Sequence, residues 1–369
     1  MLRTLVYVGT YTEPIRFGTG KVLIGKGEGI YLLELDLYSG KLKHLKTFSK
    51  IINPSYLAIN KKSRYLYAVN ELKEYCGEAS GSVSAFTITK SSGALTHINT
   101  RPTGGTDPCH VEIDSAGTHI YVSNFMSGSV CVFPLDPNGS IKESSQFIQH
   151  KGKSIDPIRQ AGPHAHSLVF SPDEQYAFVP DLGLDKLMIY RVDPKTHTLH
   201  EREVLSFEVK PGAGPRHCTF DAGGKFCYLI NELDSTILVL SYDQQAGFFT
   251  ELQCVSSLPD GYQAPGNTCA DIHIAPDGRY LYGSNRGHDS VIIYKVDQKT
   301  GMLSFVDCPS CGGKTPRKFT IDPSGKFLLC ANQDSDEIVV FSIEKDSGLL
   351  NGESRIAIPT PVCVKSIRW

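Results

Sequence analysis

Asp322-Pro323-Ser324-Gly325-Lys326-Phe327-Leu328-Leu329-Cys330-Ala331-Asn332 is a tight polar turn that runs into an apolar strand and stops on a small polar residue. Pro pre-sets φ for the turn and Gly supplies the positive φ, so the stretch reads as the corner of a β-hairpin. The strand half of this unit recurs along the chain as Tyr65-Leu66-Tyr67-Ala68-Val69-Asn70, Ile120-Tyr121-Val122-Ser123-Asn124 and Tyr176-Ala177-Phe178-Val179-Pro180-Asp181. It returns as Cys227-Tyr228-Leu229-Ile230-Asn231 and Tyr280-Leu281-Tyr282-Gly283-Ser284-Asn285, and with Leu5-Val6-Tyr7-Val8-Gly9 at the start the copies number seven. Self-similarity of this kind, at a spacing of roughly 50 residues, marks a closed repeat architecture.

Each later copy is preceded by a second strand, as in Asn53-Pro54-Ser55-Tyr56-Leu57-Ala58-Ile59 and Asp107-Pro108-Cys109-His110-Val111-Glu112-Ile113. Each is followed by a third, such as Val291-Ile292-Ile293-Tyr294-Lys295-Val296, and then by a weaker fourth after a turn such as Thr300-Gly301. Four strands per repeat make a propeller blade, and the predicted fold is an all-β seven-bladed β-propeller occupying residues 1–369 as one domain. The first repeat lacks its inner strand, while Pro361-Val362-Cys363-Val364-Lys365-Ser366-Ile367 is an orphan one. The C-terminal strand is therefore predicted to close the first blade, one strand from the C-terminus joined to three from the N-terminus.

Thirty-seven basic against 39 acidic residues, a formal net charge of −2, supply no electrostatic reason for a nucleic-acid or anionic-membrane partner. A charged ligand must then be met by a local cluster. The N-terminus runs straight into a β-like stretch, and the 11 cysteines sit mostly inside strands as small hydrophobes, so a reducing, cytoplasmic setting is expected. The Cys308–Cys311 spacing has no partner pair for a zinc site.

In a propeller the start of the first strand of each blade and the end of the second open at the same mouth. Aligning the first strands on their last apolar residue puts Ser55, Cys109, His166, Arg216, Ala270 and Arg317 at equivalent places, followed by Tyr56, His110, Ser167, His217, Asp271 and Lys318. After the second strands come Glu71, Phe125, Leu182, Glu232, Arg286 and Gln333. Arginines, histidines and carboxylates so gathered suit an anion-binding, acid–base site.

The pieces Gly162-Pro163-His164-Ala165-His166, Gly214-Pro215-Arg216-His217, Asn231-Glu232-Leu233 and Ser284-Asn285-Arg286 resemble those of the lactonase family of seven-bladed propellers. That family includes propeller-type 6-phosphogluconolactonases and fungal carboxymuconate lactonizing enzymes. The resemblance runs over essentially the whole chain and implies His166, Arg216, Glu232 and Arg286 as catalytic residues. The blade alignment adds His110, Asp271 and Arg317 as substrate-binding residues. Lactone opening needs an activated water and fixed positive charge for the oxyanion: His166 is expected as the base, Arg216 and Arg286 as the charge, Arg317 as the phosphate ligand. Neither cofactor nor metal is expected. The substrate is expected to be a small anionic lactone, with carboxymuconate cycloisomerisation or a non-catalytic binding role as alternatives. An insert, Glu13 to Glu28, breaks the first repeat; its glycines, Gly18 among them, are not a phosphate loop, because no helix follows.

Overall fold

The structure, a computed structural model, describes residues 3–17, 19–262 and 266–369, without the side chains of 201–205 and 353; Gly18 lies outside the described residues. Among these the chain forms seven four-stranded sheets, the blades of a seven-bladed β-propeller, and one two-stranded ribbon. Among the described residues one turn of 3-10 helix, Gln333–Ser335, interrupts the strands, and no described helix is long and apolar enough to cross a membrane.

Blade one has the order Pro361–Arg368, Thr4–Thr10, Gly29–Leu35, Leu42–Ser49, which is the predicted closure by the C-terminal strand. The amide and carbonyl groups of Arg3 and Trp369 bond each other in both directions, so the chain ends continue the ladder. Blades two to seven each follow chain order. Their second strands are buried throughout, as in Phe327–Asn332, or at all but one end residue, as in Tyr65–Asn70, which accounts for unbroken apolar runs where a half-exposed strand would alternate.

Two compact units make up the chain: Met1–Val8 with Tyr31–Thr47 and Arg216–Trp369, and Gly9–Ile30 with Phe48–Pro215. In the first, Leu329 and Val340 pack with Val6, Leu33 and Val364. In the second, Tyr121, Val130 and Val132 of blade three pack with Ala177, Val179 and Tyr190 of blade four.

Two departures from uniform blades bear on function. In blades two, three, six and seven the pairing of the first strand with the second slips at its start, between Pro54 and Tyr56, Pro108 and His110, Cys269 and Ile272, and Pro316 and Lys318. Such bulges take a residue out of the ladder and re-aim its side chain, and they fall where the alignment placed Ser55, Cys109, Ala270 and Arg317. In blade four the predicted first strand is cut back to Val169–Phe170 plus an isolated bridge between Ala165 and Asp181. Pro180 in the facing strand is the cause: it accepts from the His166 amide at 3.0 Å but has no N–H to return.

The described part of the insert makes a small ribbon, Ile15–Arg16 with Val22–Leu23, and the next element is the strand Gly29–Leu35. It then folds back tightly: a Cβ at Gly25 would lie 2.6 Å from the Glu13 backbone.

The turn between the third and fourth strands closes on a residue of positive φ in every blade: Gly40, Gly93, Gly139, His197, Gly247, Gly301 and Gly348. Tyrosine hydroxyls of a neighbouring blade latch onto the carbonyl of four of these, Tyr67 to Gly139, Tyr121 to His197, Tyr228 to Gly301 and Tyr282 to Gly348, at 2.9–3.1 Å.

Candidate active site

Five of the seven selected residues lie in the first unit. Arg216 stands on the strand Pro215–Phe220, Glu232 just after Phe226–Asn231, Asp271 on Thr268–Ile274, Arg286 at the end of Tyr280–Arg286 and Arg317 on Pro316–Ile321. Arg216 Nε donates to Glu232 Oε2 at 2.9 Å, and Arg286 Nη2 reaches the same oxygen at 2.9 Å. The bulge in Thr268–Ile274 takes its carbonyls out of the ladder, and the two guanidiniums use them: Arg286 Nη2 donates to Cys269 O at 2.9 Å and Arg216 Nη1 donates to Ala270 O. Arg216 and Glu232 are almost wholly buried, whereas Arg286 and Arg317 keep part of their surface.

Burial, followed by repulsion from Arg286, pulls the Arg216 guanidinium down to about 10 although Glu232 opposes the shift; Arg317 adds to the repulsion. Arg216 is still charged at neutral pH. Three guanidiniums against one carboxylate leave positive charge in excess, in planar groups suited to carboxylate, phosphate or a developing oxyanion.

Asp271, selected as a substrate ligand, is fully buried with both oxygens engaged. His217 Nδ1 donates to Oδ1 at 3.0 Å and Lys318 Nζ to the same oxygen at 2.9 Å. His273 Nε2 lies 2.8 Å from Oδ2, which also accepts from the Phe319 amide at 3.2 Å. Burial pushes this carboxyl up, but the charges of His273 and Lys318 and the histidine hydrogen bonds more than reverse it, to well below the usual carboxylate range. Burial, then the Arg216 charge, drives His217 down to about 3, so its ring is neutral. Of the three side chains bonded to the Asp271 carboxylate here, His273 is the one the strand alignment did not select. Its signal was its place two residues on, on the same face of the strand.

The other two selected residues lie in the second unit. His110, on Pro108–Ile113, packs against Tyr56 with ring centroids 4.2 Å apart and the planes tilted by 40°, and its Nδ1 accepts from the Leu168 amide at 3.4 Å. His166 stands where the Pro180 gap opens the ladder, and Cys109 Sγ lies 3.8 Å from its Nδ1 and donates to its carbonyl at 3.2 Å. Phe125 packs edge-on to His166 at 5.2 Å and stacks on His164 at 4.6 Å. The segment is anchored from beneath by Asp181, which accepts from the amides of His164, Gly183 and Leu184 and from His150 Nδ1 at 2.6 Å; Tyr190 holds the far side of that ring. Glu71, the blade-two counterpart of Glu232, accepts from the Tyr11 hydroxyl at 2.9 Å. A cavity of about 630 Å³ in this unit, lined by Phe48, Ile52, Tyr75, Phe86 and Leu95, includes none of the selected residues.

Similarity to known proteins identifies the family. The profile of the family described as "Lactonase, 7-bladed beta-propeller" matches residues 5–366. A 6-phosphogluconolactonase of Bacillus subtilis is 38% identical over 366 residues, 99% of each chain, and one of Formosa agariphila is 36% identical over 318 residues, 85% of each. Among solved structures, a periplasmic gluconolactonase of Pseudomonas aeruginosa superposes with a TM-score of 0.90 at 32% identity, covering 100% of this chain and 99% of the other. The chain therefore belongs to the lactonase family of seven-bladed β-propellers.

Proposed function

We propose that the protein hydrolyses 6-phosphogluconolactone to 6-phosphogluconate, a step of the pentose phosphate pathway, and that residues 1–369 act as one domain. The observation that carries this reading is the pair Arg216 and Arg286 held on one oxygen of Glu232 at 2.9 Å each, with a third guanidinium, Arg317, acting electrostatically on Arg216. The name of the relative matched over 99% of the chain supports the choice of lactone.

Water adds to the ring carbonyl, the carbon–oxygen bond of the ring breaks, and the departing alkoxide takes a proton, leaving a carboxylate. Arg216 and Arg286 stabilise the oxyanion of the tetrahedral stage, and Glu232 keeps both guanidiniums oriented before substrate arrives. Within the arginine cluster no group suits the proton acceptor: Glu232 is tied to two cations, and His217 binds a proton only near pH 3. That part is assigned to His166. Asp271 serves as the positioning centre for His217, His273 and Lys318; His110 remains a substrate ligand, and Arg317 takes the phosphate. All eleven cysteines are thiols, which supports a reducing, cytoplasmic setting.

Two freshly prepared lactones, 6-phosphogluconolactone and unphosphorylated gluconolactone, test the proposal against their spontaneous opening. The phosphorylated one should be opened faster at low concentration, and Arg317→Ala should raise its KM by roughly 10-fold or more with little change for the other. Equal handling of both by wild type and variant would transfer the activity to unphosphorylated sugar lactones. No acceleration of either would end the lactonase reading.

A further inference from the structure

Beyond the lactonase reaction, we propose that Asp114, His119 and His197 bind one divalent transition-metal ion, with Zn²⁺ the best match, as a clamp joining blades three and four. Asp114 Oδ2 lies 3.5 Å from His119 Nδ1 and 3.2 Å from His197 Nδ1, and the three ligand atoms fall within 4.8 Å of one another. Tetrahedral zinc, with bonds of about 2.0–2.1 Å, separates its ligand atoms by roughly 3.3 Å. Two imidazoles and a carboxylate, with water as a fourth ligand, are a donor set zinc accepts. Asp114 follows the strand Pro108–Ile113 at the end opposite His110, so this cluster is separate from the groups assigned to lactone chemistry.

The internal repeat supplies the second observation. In the blade-to-blade contacts Tyr65 on Gly139, Phe226 on Gly301, Tyr280 on Gly348 and Phe327 on Gly40, an aromatic ring covers the positive-φ glycine so closely that a Cβ there would come within 2.3–2.8 Å of the ring. Between blades three and four both partners are histidine: His119 occupies the ring position and His197 the glycine position, at φ 56°, with the rings stacked 4.3 Å apart at 15°. Six blades use glycine at that turn, so a side chain is present only where it meets a second histidine and a carboxylate. A residue with a Cβ in a left-handed conformation costs free energy that glycine avoids, and retained strain points to a use for the side chain.

The surroundings already provide outer support. Asp114 Oδ1 accepts from the amides of Thr118 and His119 at 2.7 and 3.1 Å, and the Thr118 hydroxyl donates to Oδ2 at 2.6 Å, which orients the carboxylate. Asp114 is buried while the two histidines are partly exposed, so an ion reaches the site from the surface.

The full-length protein, stripped of metal by chelator and dialysed, would be titrated with Zn²⁺ by calorimetry and with Co²⁺ by visible absorption. One equivalent should bind, with a tetrahedral Co²⁺ spectrum and a rise in Tm. His197→Gly restores the residue found in the other six blades and His119→Tyr the aromatic found at the other contacts, so both variants keep the fold. Each should weaken Zn²⁺ binding by more than about 100-fold, since loss of an inner ligand exceeds the 10–100-fold typical of outer-shell changes. Absence of binding by the wild type, or binding undiminished in both variants, would overturn the assignment.

Discussion

Glu232→Gln is the most informative single change in the arginine cluster, because it removes charge at nearly constant shape. One oxygen of Glu232 takes hydrogen bonds of 2.9 Å from two guanidiniums, and Arg216 is 2% exposed. Arg216 already stands more than two pH steps below the usual arginine range with Glu232 present, which corresponds to a cost on the order of 3 kcal/mol against its charged form. Glutamine can set its carbonyl oxygen at that point and still accept from both guanidiniums, but it carries no charge to offset theirs. Breaking a buried ion pair in this way costs about 3–5 kcal/mol. With an unfolding entropy of roughly 0.8 kcal/mol/K for a chain of this length, 3 kcal/mol is a fall in Tm of about 4 °C. The variant also gains net positive charge, so inorganic phosphate should bind at least as tightly as to wild type, while kcat for lactone opening drops by roughly 10-fold or more as the guanidiniums lose their fixed orientation. Scanning calorimetry, phosphate inhibition and initial rates read the three quantities on one preparation. A Tm within 1 °C of wild type, about the shift of a surface change, together with unchanged kcat would refute the reasoning that Glu232 holds the two arginines.

Three further outcomes follow from the structure. His166→Asn should lower kcat by roughly 100-fold with KM little changed if His166 is the base; a change confined to KM would make it a binding group. Stability should fall on acidification: the unfolded His217 takes a proton below about pH 6.5 while the folded ring stays neutral down to about 3, so the unfolded state binds more protons across that window. Tm should therefore drop by about 2 °C per pH unit from this residue alone, and His217→Gln should flatten the profile between pH 6 and about 4; an unchanged profile would remove His217 as its source. Asp271, whose folded value lies well below its ordinary one, adds stability that is present above about pH 4 and is lost only at still lower pH. Deleting Pro361–Trp369 removes Val362, Cys363 and Val364, each at most 2% exposed, worth on the order of 5 kcal/mol of burial before the lost ladder is counted. The shortened chain should be protease-sensitive and lack a cooperative melt, and a truncated protein with wild-type Tm would contradict closure by this strand.

The blades were legible because a strand covered on both faces is an uninterrupted apolar run with a turn at each end, and Phe327–Asn332 is such a run. The one blade that departs does so through Pro180, a residue visible in the sequence whose missing N–H frees His166 from regular pairing. Alignment of strand starts also gathered Arg216, Arg286, Glu232 and Asp271, but it marks height along a strand and carries no information on what a neighbouring side chain fills. Asp271 is enclosed by His217, Lys318 and His273, so a position that looked like a ligand is a buried anchor. The His119–His197 pair lies at the outer turns, which an alignment of strand starts does not compare. Yet Asp193-Pro194-Lys195-Thr196-His197 set beside Asp297-Gln298-Lys299-Thr300-Gly301 shows a glycine replaced at a position that closes the turn, since the amides of His197 and Gly301 bond Asp193 O and Asp297 O alike. In a repeat protein each blade is a control for the others. A blade that forgoes glycine where a left-handed backbone costs about 1–2 kcal/mol marks a side chain kept for a purpose, and that signal can be read before any coordinates exist.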